Sequence, residues 1–178
     1  MPSPFQELLA TAKDRSLPPV ERWAPERVGE IDIRIAANGD WYHEGTRIER
    51  FAIAKLFATI LRLDDGAHYL VNPYEKLRIE VDDAPFIATD MESQGEGAER
   101  RILFSTNVDD VVLADAAHPI VVEDRNGEPR PYVEVRRGLR ALIARSVFYR
   151  LVDMAVDDGD GELSLWSGGA RFVLGRAE

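Results

Sequence analysis

The chain of 178 residues contains no cysteine. That absence excludes a disulfide scaffold, a thiolate zinc site, an iron–sulfur cluster and a cysteine nucleophile. No apolar run approaches the roughly 18 residues of a membrane-spanning helix, and no basic-then-apolar segment opens the chain, so a cytoplasmic protein is expected. Histidine occurs 3 times, and lysine 3 times against 19 arginines. Bases are scarcest in the middle. Residues 64–124 hold 4 bases against 15 acids, residues 1–63 hold 9 of each, and residues 125–178 hold 9 bases and 8 acids. The middle segment therefore carries the acidic excess behind the formal charge of −10. Such a surface repels phosphate backbones and anionic headgroups, so neither nucleic acid nor a membrane is an expected partner.

What is present suffices for a packed core. Hydrophobic residues make up 45% of the chain, which excludes bulk disorder, and the length suits one domain or two small ones. Ser3-Pro4-Phe5-Gln6 reads as a helix start with a capping box, and Phe5, Leu8, Leu9 and Ala12 share one helical face. Leu17-Pro18-Pro19-Val20-Glu21-Arg22-Trp23-Ala24-Pro25 follows as an extended strap whose Leu17, Val20 and Trp23 are set to dock on a core.

Ile31, Ile33 and Ile35 alternate with Asp32 and Arg34 as a half-buried strand, and Asn38-Gly39 marks a hairpin turn before Trp41 and Tyr42. From about Arg50 to Leu63 the period changes: Ile53, Leu56, Phe57, Ile60 and Leu61 predict a mostly buried helix, ended by Asp64-Asp65-Gly66. Tyr69–Val71 and Leu77–Val81 form a second hairpin around Asn72-Pro73. The same grammar returns later. A strand over Ile120–Val122, the turn Asn126-Gly127 and a return through Tyr132 lead into a helix predicted over about 138–155, where Ser146 is a second candidate cap. Asp157-Asp158-Gly159 and a hairpin around Gly168-Gly169 close the chain. Matched turns inside matched periods predict an α+β fold of two successive hairpin–helix–hairpin units, an internal repeat of mostly antiparallel strands. The expected divisions are 1–25 for the helix and strap, 26–100 for the first unit and 101–178 for the second. Residues 31–82 and 119–174 are expected to superpose.

Several strings together resemble a known bacterial family across nearly the whole chain. They include Leu17-Pro18-Pro19-Val20-Glu21-Arg22-Trp23, Asp32-Ile33-Arg34-Ile35, and Tyr69-Leu70-Val71 with Glu75-Lys76. Val81-Asp82-Asp83-Ala84-Pro85-Phe86, Thr106-Asn107-Val108-Asp109-Asp110, His118-Pro119, and Pro131-Tyr132-Val133 through Gly138-Leu139 with Val147-Phe148-Tyr149 complete the set. The family is catalogued as domain of unknown function 1285. The resemblance implies a fold of repeated α+β motifs and a link to signal transduction, and it supplies no catalytic residues.

The chemistry-bearing residues give little support for an enzyme. His43, His68 and His118 have no helical i, i+4 partner and no nucleophile-elbow neighbour, so structural roles are expected; His118, beside a proline, is the one placed to orient a ligand. The acidic run at 157–162 fails as an EF-hand, since Val156 and Ser167 would hold the first and twelfth positions. Gly95-Glu96-Gly97 places a negative side chain where a phosphate would sit. One constellation remains. Asp82 and Asp83 end a strand, and Asn107, Asp109 and Asp110 follow another, so neighbouring strand ends would bring four carboxylates and an amide to one rim. The leading expectation is a non-catalytic binding or regulatory module, without cofactor or metal, whose acidic rim meets a protein with a basic surface. The alternative is a hydrolase-like metal-dependent enzyme using those carboxylates as ligands. Against both stands the ordinary role of Asp pairs at strand ends as turn-formers.

Overall fold

The structure, a computed structural model, describes residues 1–14 and 16–177. Helix α1 (Pro4–Asp14) starts where the sequence places it, because Ser3 and Gln6 cap it reciprocally: the Ser3 N–H donates to Gln6 Oε1 at 3.0 Å and the Gln6 N–H to Ser3 Oγ at 3.3 Å. Its Phe5 is buried beneath the Arg101 guanidinium, so the first helix packs on the second half of the chain. The strap ends in a 3-10 turn, Val20–Arg22. Val20 is its buried anchor, while Trp23 is half-buried. Arg62 holds the strap by its backbone, donating to the carbonyls of Val20 at 2.9 Å and Trp23 at 2.7 Å.

Two six-stranded sheets follow, and they share one topology. The first contains β1 (Arg27–Ile35), β2 (Trp41–His43), β3 (Thr46–Arg47), β4 (Leu61–Asp64), β5 (Ala67–Val71) and β6 (Glu75–Val81), in the order β3-β2-β1-β6-β5-β4. Helix α2 (Phe51–Thr59) joins its two three-stranded meanders, and only the central pair β1–β6 is parallel. The second contains β7 (Phe86–Gln94), β8 (Arg101–Thr106), β9 (Val111–Leu113), β10 (Ile120–Arg125), β11 (Glu128–Arg136) and β12 (Leu139–Ile143), in the order β10-β11-β12-β7-β8-β9. Its central pair β12–β7 is again the parallel one. A short connection at 114–119 stands where the first sheet has its helix. Helix α3 (Arg145–Met154) then leads to a three-stranded sheet of β13 (Val156–Asp157), β14 (Glu162–Ser167) and β15 (Ala170–Arg176). One apolar core runs from Ile33, Ile35 and Trp41 of the first sheet through Phe86, Phe104 and Ile143 of the second to Leu165 and Phe172 of the third.

The α+β class and the internal repeat are present, but the repeating unit differs from the expected one. The order of three strands, a helix and three strands does recur at 120–176, yet its strands fall in two sheets; the matching sheets are built by 27–81 and 86–143. Each expected hairpin is a three-stranded meander: one added strand is as short as Thr46–Arg47, and two, Leu61–Asp64 and Leu139–Ile143, occupy residues expected to be helical. Both predicted helices are shorter. Leu61–Asp64 is a strand, and Asp65 and Gly66, at φ 49 and 81, form the β4–β5 turn and do not end a helix. Leu139, Ala141 and Ile143 face inward as alternate strand residues; Leu139, Leu142 and Ile143 also fit the helical spacing, and strand pairing with β7 and β11 decides between the two periods. Helix α3 begins after Ala144, ahead of the candidate cap Ser146. Of the two Asn-Gly turns, only Asn126-Gly127 has both residues at positive φ; at the first, Gly39 alone does. Gly39 is required for a second reason. A Cβ there would lie 2.7 Å from Asn107 Nδ2 and 2.8 Å from Ile87, because the two sheets meet at this turn.

Candidate functional site

Asp82 and Asp83 lie where the chain leaves the first sheet for the second, and their side chains part. Asp82 is half-exposed and pairs with Arg34 of β1 at 2.5 Å. The Asp83 side chain is 3% exposed and turns to the second sheet, where Arg130 at 2.6 Å, the Tyr132 hydroxyl at 2.6 Å and Arg125 at 3.3 Å surround it. Burial pushes its pKa upward, but the Tyr132 and Arg130 hydrogen bonds and the charges of Arg130 and Arg125 outweigh it, leaving the carboxyl below its ordinary range. The same geometry pushes the Tyr132 phenol up, through burial first and then its bond to Asp83. Arg140 stacks over the Tyr132 ring at 3.8 Å, so the cluster is a closed knot of cations, ring and carboxylate.

Asn107, Asp109 and Asp110 occupy the β8–β9 turn. Asn107 ties the sheets together, its Oδ1 accepting from the Ile87 N–H at 2.9 Å and its Nδ2 donating to the Gly39 carbonyl at 3.4 Å. Asp109, at φ 63, is exposed and pairs with Lys55 of α2 at 3.1 Å. Asp110 is buried against Arg136 at 2.5 Å, and Arg136 also donates to the Ala58 carbonyl at 2.7 Å, which seats α2 on the second sheet. His118 Nδ1 lies 3.0 Å from Asp115 Oδ1, the same oxygen that accepts the His118 N–H. Asp110 and His118 border one hollow of about 300 Å³ with Leu9, Leu17, Asp115 and Arg136. Asp109 borders another, of about 710 Å³, between α1 and α2, and Asp83 borders neither.

The expected rim is therefore divided. Its acids from the middle segment meet bases drawn from both flanks: Arg34 and Lys55 from one, Arg125, Arg130 and Arg136 from the other. Among the described residues no group of three or more His, Asp and Glu is placed to hold a metal ion. The run at 157–162 forms turns, with Asp157 Oδ1 accepting from the Gly159 and Gly161 N–H groups. Sequence reasoning missed the cations that meet these acids, although Arg130 and Tyr132 lie at alternating positions of one strand and so share a face; a bulge between Glu134 and Arg136 turns Arg136 over the Phe86 ring instead. It also missed a second feature. Helix α2 was expected to be mostly buried, but only Ala54 and Ala58 are; Phe51 is 50% and Leu56 62% exposed, with Ile53 beside them.

Comparison with known proteins covers most of the chain. The model described as "Domain of unknown function (DUF1285), N-terminal domain" matches residues 18–84, and that of "Protein of unknown function (DUF1285), C-terminal domain" matches residues 85–174. Helix α1 precedes both. A crystal structure of a DUF1285 family protein from Silicibacter pomeroyi DSS-3 is 44% identical over 96% of this chain and 95% of its own, with a TM-score of 0.87. Another from Shewanella baltica OS155 is 29% identical over 68% of this chain and 91% of its own, with a TM-score of 0.55. No curated protein matches the chain.

Proposed function

The chain belongs to the DUF1285 family, and from that premise we propose that it is a non-catalytic protein-binding module with a regulatory part in signal transduction. The exposed apolar side chains of α2 carry this reading. Phe51, Ile53 and Leu56 are exposed on one nine-residue helix, whose Lys55 borders a hollow together with Leu8 and Ala10 of α1 and Val111 of β9. Large apolar side chains of a helix belong in an interior, and a cluster of them left at the surface marks a contact region. Asp82, Asp83, Asp109 and Asp110, by contrast, each meet a base within the fold, which favours the binding reading over the metal-dependent hydrolase.

The basic partner expected from the acidic segment would meet the outer face of the first sheet. There Glu30, Asp32, Glu80 and Asp82 border a hollow of about 690 Å³ along the parallel strands β1 and β6. A cytoplasmic location belongs to the same proposal; no helix among the described residues is long and apolar enough to cross a membrane. Affinity purification from the source cell tests the reading. Wild type should retain a defined partner that Leu56→Asp and Phe51→Ser both lose. An identical partner set in all three would remove α2 from the interface. A divalent-ion thermal shift present in wild type and absent in Asp109→Asn would instead restore the hydrolase reading.

A further inference from the structure

Helix α1 sits in a groove wider than itself. It lies against β9, the edge strand of the second sheet, and against β7 and β8. On one flank, Leu8 and Thr11 border the hollow of about 710 Å³. On the other, Leu9 and Ala12 border that of about 300 Å³ with Val112 and Val135. Val111 borders both, so the helix crosses that residue with unfilled space on either side, where an interior element would pack without such gaps. Of the side chains from Pro4 to Lys13, Phe5 alone is buried, under the Arg101 guanidinium at 5.3 Å from the ring centre; Leu8, Leu9 and Ala12 are half-buried.

The chain that follows α1 has its own anchor. Val20 is buried, Arg62 donates to the carbonyls of Val20 and Trp23, and Glu21 pairs with Arg137 at 2.8 Å. Pro18 and Pro19 stand between that anchor and the helix, and neither continues a helix. The body therefore keeps its hold at 20–23 when α1 leaves, and an isolated helix of 11 residues is marginal in water. Release thus melts one helix and leaves the sheets intact.

We propose that this groove is a helix-binding site, that α1 is its internal occupant, and that an amphipathic helix of a partner protein displaces it. The seated α1 shows the chemistry that fits: an aromatic ring under Arg101, leucine three and four positions on, and a small residue seven on. A partner helix with this spacing and bulkier side chains also fills the two hollows, and so occupies the groove more fully than α1 does. Because it enters only when α1 is out, it shifts the population toward the released form. This goes beyond the α2 reading and does not rest on the exposed Phe51, Ile53 and Leu56.

A synthetic peptide of residues 1–14, titrated into the full chain and followed through the amide resonances of Val111 and Val112, tests the proposal. Phe5→Ala frees the groove of its own helix and should bind the peptide about tenfold or more tighter than wild type, where α1 competes. Ser3→Ala removes the hydroxyl that caps Gln6, should gain about fivefold, and repeats the test should Phe5→Ala melt early. A peptide that itself carries Phe5→Ala should lose the binding, and Leu56→Asp should bind the unaltered peptide as wild type does. The proposal fails if the peptide binds no variant, if wild type and both α1 variants bind it equally, or if the peptide without its phenylalanine binds as well. A loss of binding in Leu56→Asp would move the contact to α2 and overturn it. It fails equally if sedimentation shows wild type exchanging α1 between two copies, since the chain would then be its own partner.

Discussion

Single residues hold this fold together where the sheets meet, and Asp83 is the foremost of them. Its carboxylate accepts from Arg130 and Tyr132 while nearly all its surface is removed from water. Replacing it by Asn leaves two cations facing a neutral amide, which should cost about 2–3 kcal/mol by guanidinium titration, the half-exposed Arg130 keeping the loss below that of a fully buried pair. Because the folded-state pKa of Asp83 is lowered, its contribution is present above the ordinary value of 3.8 and disappears as pH falls through the folded value. The difference between wild type and Asp83→Asn should therefore shrink in acid, and a constant difference would locate the effect elsewhere. His68 runs the other way along the pH scale. Burial lowers its pKa from 6.5, so the unfolded chain takes up the proton first and stability falls as pH drops below that value. The loss of melting temperature between pH 7.5 and pH 5.5 should accordingly be smaller in His68→Gln than in wild type.

Among the elements, α2 separates the two faces of one short helix most sharply. Ala58 is fully buried against the second sheet and Arg136 bonds its carbonyl, so Ala58→Leu should overpack the contact and cost about 1–3 kcal/mol. Leu56→Asp, on the exposed face, should change stability by no more than about 0.5 kcal/mol in the same denaturation series. The strap is an element of another kind. Val20 is its buried side chain, and Arg62 bonds two of its carbonyls, so Val20→Ala should lower stability by about 1–2 kcal/mol; an unchanged denaturation midpoint would show the strap to be dispensable. Much of this was legible. The capping box of Ser3 and Gln6, the alternation of Ile33 and Ile35, and the Asn126-Gly127 turn are local signals, and each stands where the sequence puts it. Helix ends were not legible, because Leu61 and Leu139 fit both periods and only strand pairing across the sheet selects one. Nor could the pairing of Asp83 with Arg130, or Asp109 with Lys55, be read along the chain, since each joins residues about fifty positions apart in different elements.

At the scale of the whole molecule, the core is shared. Ile33, Ile35 and Trp41 pack in one cluster with Phe86, Phe104 and Ile143, so neither sheet owns a complete interior. The full chain should unfold in one cooperative transition by both calorimetry and circular dichroism, and a fragment of residues 1–84 should remain unfolded. Two separated transitions would show that the sheets are independent domains. The placement of the parallel pairs also governs when the protein can form. Each sheet joins its first strand to its last: β1 begins at Arg27 and waits for β6, which ends at Val81, while β7 begins at Phe86 and waits for β12, which ends at Ile143. No central ladder can begin from neighbours in sequence, so loops of about fifty residues must close first, and such topologies fold slowly. During synthesis the isoleucines of β1 can pair only with β2, and their other edge stays open until Val81 has left the ribosome. The nascent chain is most in need of a chaperone across that interval.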